Sequence, residues 1–159
     1  MSKGKAKPVP DGYHPVTPYL VVDGAAKALE FYGRVFGATE RMRMPGPGGK
    51  VGHAEISIGE SVIMLADEHP EIGARGPRAY GGAAVSLHLY VPDVDATVKK
   101  AVAAGAKVLS PVEDKFYGDR AGMIEDPFGH HWSVMTHIED VPPEEMGERA
   151  AKAMKEMGG

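Results

Sequence analysis

The feature that most constrains this chain is an echo: one order of strand, helix and glycine runs through and then begins again. The stretch "VTPYLVVDG" (16–24) predicts a strand ending in a turn, and "AAKALEFYGRVFG" (25–37) predicts a helix. Next come a short strand in "TERMRM" (39–44), a loop in "PGPGGK" (45–50) and a hairpin in "VGHAEISIGESVIMLAD" (51–67), turning near Gly59 and Glu60. After residues 68–83, rich in Gly and Pro, the pattern resumes. "AVSLHLYVPD" (84–93) reads as a strand, "VDATVKKAVAAG" (94–105) as a helix, "AKVLSPVED" (106–114) as a strand, and "RAGMIEDPFGHHWSVMTHIE" (120–139) as a hairpin.

The echo has a register. Val22 and Val91 end the first strands, 91 − 22 = 69, and Ile63 and Trp132 follow the hairpin turns, 132 − 63 = 69. The helix-ending Gly37 and Gly105 slip by one, 105 − 37 = 68. This period is too long for a solenoid. It predicts an α+β chain of two paired βαβββ modules, at about 13–67 and 84–139, joined by a linker at 68–83. The whole of 13–139 is expected to form one domain. The linker reads as a plain crossover between the halves, although its length also suits a mobile flap.

Within the first helix, Ala25, Leu29, Tyr32 and Phe36 share one stripe, with Asp23 as the expected cap and Gly37 as the stop. Asp93 and Gly105 play those parts in the second helix. Residues 140–159 predict a C-terminal helix, with Asp140 as cap and Pro142 in its early turn. Its Met146, Ala150, Ala153, Met154 and Met157 lie on one side and are expected to dock on the protein's own core. Residues 1–12, with Lys3, Lys5 and Lys7, read as a flexible arm.

Several function classes drop out. A net charge of −4 argues against a nucleic-acid partner. There are no cysteines, hence no disulfides and no thiolate chemistry. No apolar run approaches the roughly 20 residues a membrane span needs, and a cytoplasmic location with no membrane partner is expected.

Side chains alternate across a strand, so parity sorts them onto faces. One face collects Val16, Leu20 and Val22, then Ala54, Ile56, Ile63 and Leu65, then Val85, Leu87, Leu89, Val91, Trp132 and Val134. This apolar set must lie under the helices. The other face mixes Tyr19, His53, Glu55 and Met64 with Ser86, His88 and Tyr90, and with Arg120, Gly122, Ile124, His131, Ser133, Met135 and His137. Buried without partners, such polar groups would cost free energy. Plain exposure does not account for the tyrosines and methionines among them. A partly wet cavity for a small organic molecule accounts for both. A face packed on a second subunit and a merely solvated sheet are the competing readings.

The stretch "DPFGHHW" (126–132) is first a turn: Pro127 presets φ and Gly129 accepts positive φ. His130 and Trp132 are expected to serve packing, while His131 and Arg120 turn to the mixed face.

The two modules, the "EFYGRVFGA" helix and the "EDPFGHHW" hairpin resemble the vicinal oxygen chelate superfamily, which includes glyoxalase I, bleomycin-resistance proteins and extradiol dioxygenases. "GHAEISIG", "FYGDRAG" and "DPFGHHW" are most similar to its PhnB-like branch, and the resemblance spans about 14–138. It implies the fold, the cavity and a homodimer. It also implies four metal-ligand positions, which here are Thr17, Met64, Ser86 and Ser133, with 86 − 17 = 69 and 133 − 64 = 69. A thioether and three hydroxyls are poor donors for a divalent cation, so no metal or other cofactor is expected.

Other donors stand nearby. His53, Glu55, His88 and His137 offer imidazoles and a carboxylate, either for a metal or for proton transfer; each histidine also suits a plain hydrogen-bonding wall. Arg120 suits an anionic group, or a structural pair with Asp119, Glu125 or Asp126. Tyr19 and Tyr90 suit stacking on a planar ligand or filling volume. The chain therefore reads as a binding protein that sequesters an antibiotic or metabolite, with an enzyme acting on a small oxygenated substrate as the alternative.

Overall fold

The computed structural model describes residues 4–158, so Lys3 of the expected arm and Gly159 of the tail lie outside the described residues. The chain divides into two compact units, Met1–Gly82 and Ala83–Gly159. In the first are β1 (Tyr19–Val22), α1 (Ala25–Phe36), β2 (Thr39–Pro45), β3 (Val51–Ile58) and β4 (Ser61–Asp67). In the second are β5 (Ser86–Tyr90), α2 (Val94–Ala103), β6 (Lys107–Asp114), β7 (Asp119–Glu125), β8 (His131–His137) and α3 (Pro143–Gly158). The sheets are four-stranded and ordered β1-β4-β3-β2 and β5-β8-β7-β6. In each, the first strand runs parallel to the fourth.

The echo is exact at this level. Tyr19 aligns with Met64 and His88 with Ser133, so both partners are displaced by 69 (88 − 19 and 133 − 64). The architecture is α+β, two βαβββ modules and a C-terminal helix, as the period implied.

Each module builds its core on the helix-covered face. In the first unit Leu20, Val22, Ala54, Ile56, Ile63 and Leu65 are buried, as are Ala25, Ala28, Leu29, Tyr32 and Phe36 of α1. The Tyr32 and Phe36 rings stack with centroids 6.0 Å apart. In the second, Ile124, Trp132 and Val134 are buried along with Val94, Val98 and Ala101 of α2. Val16 and Val85, expected on this face, are 86% and 72% exposed. They precede the paired residues of β1 and β5, so no ladder holds them over the core.

The helix starts carry a device that local reading misses. Asp23 does not cap α1: the cap position falls on Gly24, at φ 108, and α1 has no side-chain cap from that residue. The acceptor arrives from the end of β4 instead. Asp67 Oδ1 accepts from the Gly24 and Ala25 backbone N–H groups at 2.9 and 2.8 Å, and Oδ2 accepts from Val51 N–H at 2.8 Å. Burial pushes the Asp67 carboxyl up. The Ala25, Val51 and Gly24 donors and the Lys50 charge outweigh it and hold the group below the ordinary carboxylate range. Thr136 stands in the equivalent place at the end of β8, 136 − 67 = 69. Val94 N–H donates to its Oγ1 at 2.9 Å, and its hydroxyl donates to the Val91 carbonyl at 2.8 Å. At α2 the expected local cap is present too, with Asp93 accepting from Ala96 N–H at 3.1 Å.

The tail departs from expectation. Asp140 lies three residues before Pro143, and its carboxylate pairs with His137 Nε2 at 2.7 Å rather than capping α3. Nor does the apolar stripe enter a core: no residue of α3 is buried, and Met154 and Met157 are 73% and 87% exposed. A polar staple holds the helix. Arg149 donates to Glu139 at 2.6 and 3.0 Å, to Glu145 at 2.7 Å and to the Phe116 carbonyl at 3.2 Å. A groove of about 750 Å³ remains between residues 113–117 and the helix. Among the described residues no helix is long and apolar enough to cross a membrane.

Replacing Asp67 with Ala should destabilise the first unit by about 2 kcal/mol, since it strands backbone donors at a helix start. The unfolded carboxyl titrates near pH ~3.9 and the folded one lower, so the stabilisation is present above that value. Urea denaturation should therefore show the D67A deficit in full at pH 7. The deficit should shrink as the pH falls through the folded pKa.

Candidate functional site

In the first unit the register gathers the mixed face as parity predicted. Tyr19 aligns with Met64, Met64 with Glu55, and Ser57 with Val62. On the other side of β3, Glu55 aligns with Met42 and His53 with Met44, across irregularities at Glu40/Met42 and Met44/Pro45. These two methionines were absent from the sequence reading. The alternation in "TERMRM" puts them on one side, but only the bulged pairing says which side.

Four side chains on this face form one hydrogen-bonded chain. Tyr13, from the arm before β1, donates its hydroxyl to Glu55 Oε1. Glu55 Oε2 lies 2.8 Å from His53 Nε2, and His53 Nδ1 lies 3.0 Å from the Tyr19 hydroxyl. Glu55 is buried, at 5% exposure, whereas Tyr19 is 49% exposed. Hydrogen bonds from His53 and then Tyr13 hold the Glu55 carboxyl below its ordinary range against the opposing effect of burial. Burial first, and then the Glu55 charge, push the Tyr19 phenol up. The protons follow from this. An ionised Glu55 can only accept, so the neutral form of His53 carries its proton on Nε2 and leaves Nδ1 to accept from the Tyr19 hydroxyl. The Arg41 guanidinium sits 4.8 Å from the centre of the Tyr13 ring.

Tyr19 also lines a cavity of about 340 Å³ within this unit. Val21, Lys50, Ala66, His69 and Ile72 are among its other lining residues. The segment after β4 thus does more than connect. His69 and Ala74 form a bridge, and Glu68 accepts from Gly76 N–H at 2.9 Å.

In the second unit Ser86 aligns with His131, His88 with Ser133, and Tyr90 with Met135. Ser86, His88 and Tyr90 are exposed. His88 Nε2 lies 3.2 Å from Ser86 Oγ, and His131 Nε2 lies 3.1 Å from Glu125 Oε1. A second polar chain runs from Tyr90, whose hydroxyl donates to Asp119 Oδ2 at 3.0 Å. His137 Nδ1 lies 2.8 Å from Asp119 Oδ1, and its Nε2 faces Asp140. Asp140 and then Asp119 push the His137 imidazole up. His88 and His137 do not meet. His88 sits opposite Ser133, four residues from His137 along β8, a separation of about 13 Å.

Arg120 is a correction. Antiparallel pairing sets Ala121 against Met135 and Met123 against Ser133, while Gly122 faces Val134 and Ile124 faces Trp132. Arg120, Gly122 and Ile124 therefore belong to the helix side and not to the mixed face. Arg120 forks onto Asp95 of α2 at 2.8 and 2.9 Å and reaches Asp114 at 2.9 Å, so it braces α2. Sequence parity places β7 one residue out, because residues 115–118 carry no alternation to anchor it. The same slip hid Asp119, a buried acid on the mixed face.

At "DPFGHHW" the turn reading stands. Asp126 Oδ1 accepts from the Phe128 and His130 N–H groups at 2.9 and 3.0 Å, and Oδ2 accepts from Trp132 Nε1 at 2.9 Å. Gly129 has φ 93.

The four metal-ligand positions do not fit a divalent cation. Thr17 Oγ1 donates to the His14 carbonyl at 3.3 Å, Met64 offers a thioether, and Ser86 and Ser133 offer neutral hydroxyls. Among the described residues, no group of three or more His, Asp or Glu side chains is placed to hold a metal ion.

Residues 12–134 match the family model described as the Glyoxalase/Bleomycin resistance protein/Dioxygenase superfamily. The chain is 44% identical over 134 residues to Rv0887c, an uncharacterized protein of Mycobacterium tuberculosis, covering 82% of this chain and 79% of that one. Protein PA1353 of Pseudomonas aeruginosa is similar in structure, with TM-score 0.63 and 26% identity over 78% of this chain and 98% of the other. The PhnB protein from Bacillus cereus shares the fold, with TM-score 0.61 and 20% identity over 77% and 99% of the two chains.

Replacing Glu55 with Gln should lower stability by about 2 kcal/mol at pH 7, since charge-assisted bonds to a buried acceptor are lost. With a depressed folded pKa, this contribution is present above the unfolded Glu value and lost as the pH falls through the folded one. Imidazole ¹⁵N shifts should show His53 protonated at Nε2 in the wild type and mixed between tautomers in E55Q.

Proposed function

Because this chain belongs to the Glyoxalase/Bleomycin resistance protein/Dioxygenase superfamily, we propose that it binds a small organic molecule without the metal its positions Thr17, Met64, Ser86 and Ser133 would otherwise hold. The observation that carries this reading is the first unit's mixed face. There Tyr19 joins a buried acid–imidazole pair to a cavity of about 340 Å³. That volume lies at the lower end of small-ligand sites. The tyrosine ring with Val21, Ala66 and Ile72 supplies apolar contact in that cavity, and the Tyr19 oxygen supplies a directed polar one. Sequestration of an antibiotic or metabolite is the role that asks nothing more of these groups. A cytoplasmic homodimer is part of the same proposal.

A second reading is favoured by the Glu55–His53–Tyr19 chain itself. A carboxylate orienting an imidazole that accepts from a phenol is an acid–base arrangement, suited to moving a proton at an oxygenated substrate. In that case the protein is an enzyme that needs no metal.

Thermal-shift and calorimetric titration with a panel of antibiotics and oxygenated metabolites tests the binding reading. A hit should weaken at least tenfold on Tyr19→Ala and several-fold on His53→Ala, and return from the protein chemically unchanged. Conversion of the hit, slowed at least a hundredfold by E55Q, would favour the enzyme. Stoichiometric metal in protein grown with Mn, Fe, Co, Ni and Zn, lost on H53A or E55A, would sink the metal-free premise.

A further inference from the structure

The C-terminal helix α3 lies beyond the family match, which ends at residue 134, and it leaves one side unused. Successive residues turn by about 100°, so Gly147, Ala151 and Met154 share the side away from the Arg149 staple. All three are exposed, and a side chain added at Gly147 would meet nothing within 4 Å. The charges divide between the two sides. Toward the body Arg149 is paired with Glu139 and Glu145. Flanking the free side, Glu144 and Glu148 stand near the helix start and Lys155 near its end, and none of them has an ion-pair partner among the described residues.

We propose that α3 pairs antiparallel with α3 of a second copy of this chain. If Met154 is set over the partner's Gly147, residues whose numbers sum to 301 face each other. Met154 then fills the open space at Gly147, and the Ala151 residues of the two copies lie side by side across the two-fold axis. Lys155 falls opposite position 146, between the partner's Glu144 and Glu148. One helix thus carries both the knob and the hole, and both signs of charge, in an order that antiparallel pairing with its own copy satisfies. The helix of 16 residues is about 24 Å long, so the contact is small and adds to whatever else joins two copies. It is independent of the ligand reading above.

The chain has no cysteine, so a single introduced one reports its own position. Under mild oxidation the full-length A151C variant should form a disulfide dimer, since residue 151 lies beside the two-fold axis. M154C alone should cross-link at most one fifth as much, yet should join readily to G147C when the two variants are mixed. In the A151C background, K155E should cut the cross-linked fraction at least threefold, and adding E144K and E148K should restore it. Far-UV circular dichroism and thermal melts confirm that each variant is folded. A folded A151C that stays uncross-linked would overturn the pairing. So would M154C cross-linking as readily as A151C, or a charge swap that fails to restore.

Discussion

One carboxylate holds the first module together. Asp67 stands at the end of β4, and its two oxygens tie the start of α1 and the start of β3 to that point. The helix is thereby placed over one face of the sheet, and the other face is left open. Thr136 plays a similar part for α2 with a hydroxyl, which accepts from Val94 N–H alone and donates its proton to the Val91 carbonyl. The difference is in strength: a charged acceptor serving several donors against a neutral one serving a single donor. The first unit can therefore start its helix on a left-handed glycine with no side-chain cap, whereas α2 adds a local cap at Asp93.

The open faces show how one scaffold can carry different chemistry. In the first unit the acid Glu55 sits opposite Met64, and its network runs through His53 to Tyr19. In the second, the acid is Asp119, opposite His137 at the far end of β8. The two networks share components, a carboxylate, an imidazole and a tyrosine, but not positions. Met64 and Ser133 are equivalent in register, yet only Met64 stands opposite an acid, and Ser133 stands opposite Met123. The networks are thus not a duplicated site but separate uses of a duplicated sheet.

Much of the fold was legible because its signals are local or strictly periodic. The hairpin at Gly59, the Asp93 cap and the Asp126 turn follow from neighbouring residues, and the 69-residue offset follows from the recurrence of such local signals. In the first unit the faces follow parity within β1, β3 and β4, which each alternate cleanly, and Val16 departs because it precedes the ladder. Parity failed at β7, where a turn without alternation precedes the strand and a one-residue slip moves Arg120 to the opposite side. It missed Met42 and Met44 because a bulge, which alternation does not announce, sets their register.

What the sequence by itself determined is the repeat, the class of fold and the types of chemical group on each strand. These depend on periodicity and on backbone preferences that act over a few residues. Tertiary structure alone decided that Asp67 and not Asp23 caps α1, that Arg120 braces α2, and that Tyr13 closes on Glu55 from a segment without regular structure. Each of those contacts joins residues between 25 and 42 positions apart. Chain closure over such distances is set by how the sheet and helix pack, and no local pattern encodes it.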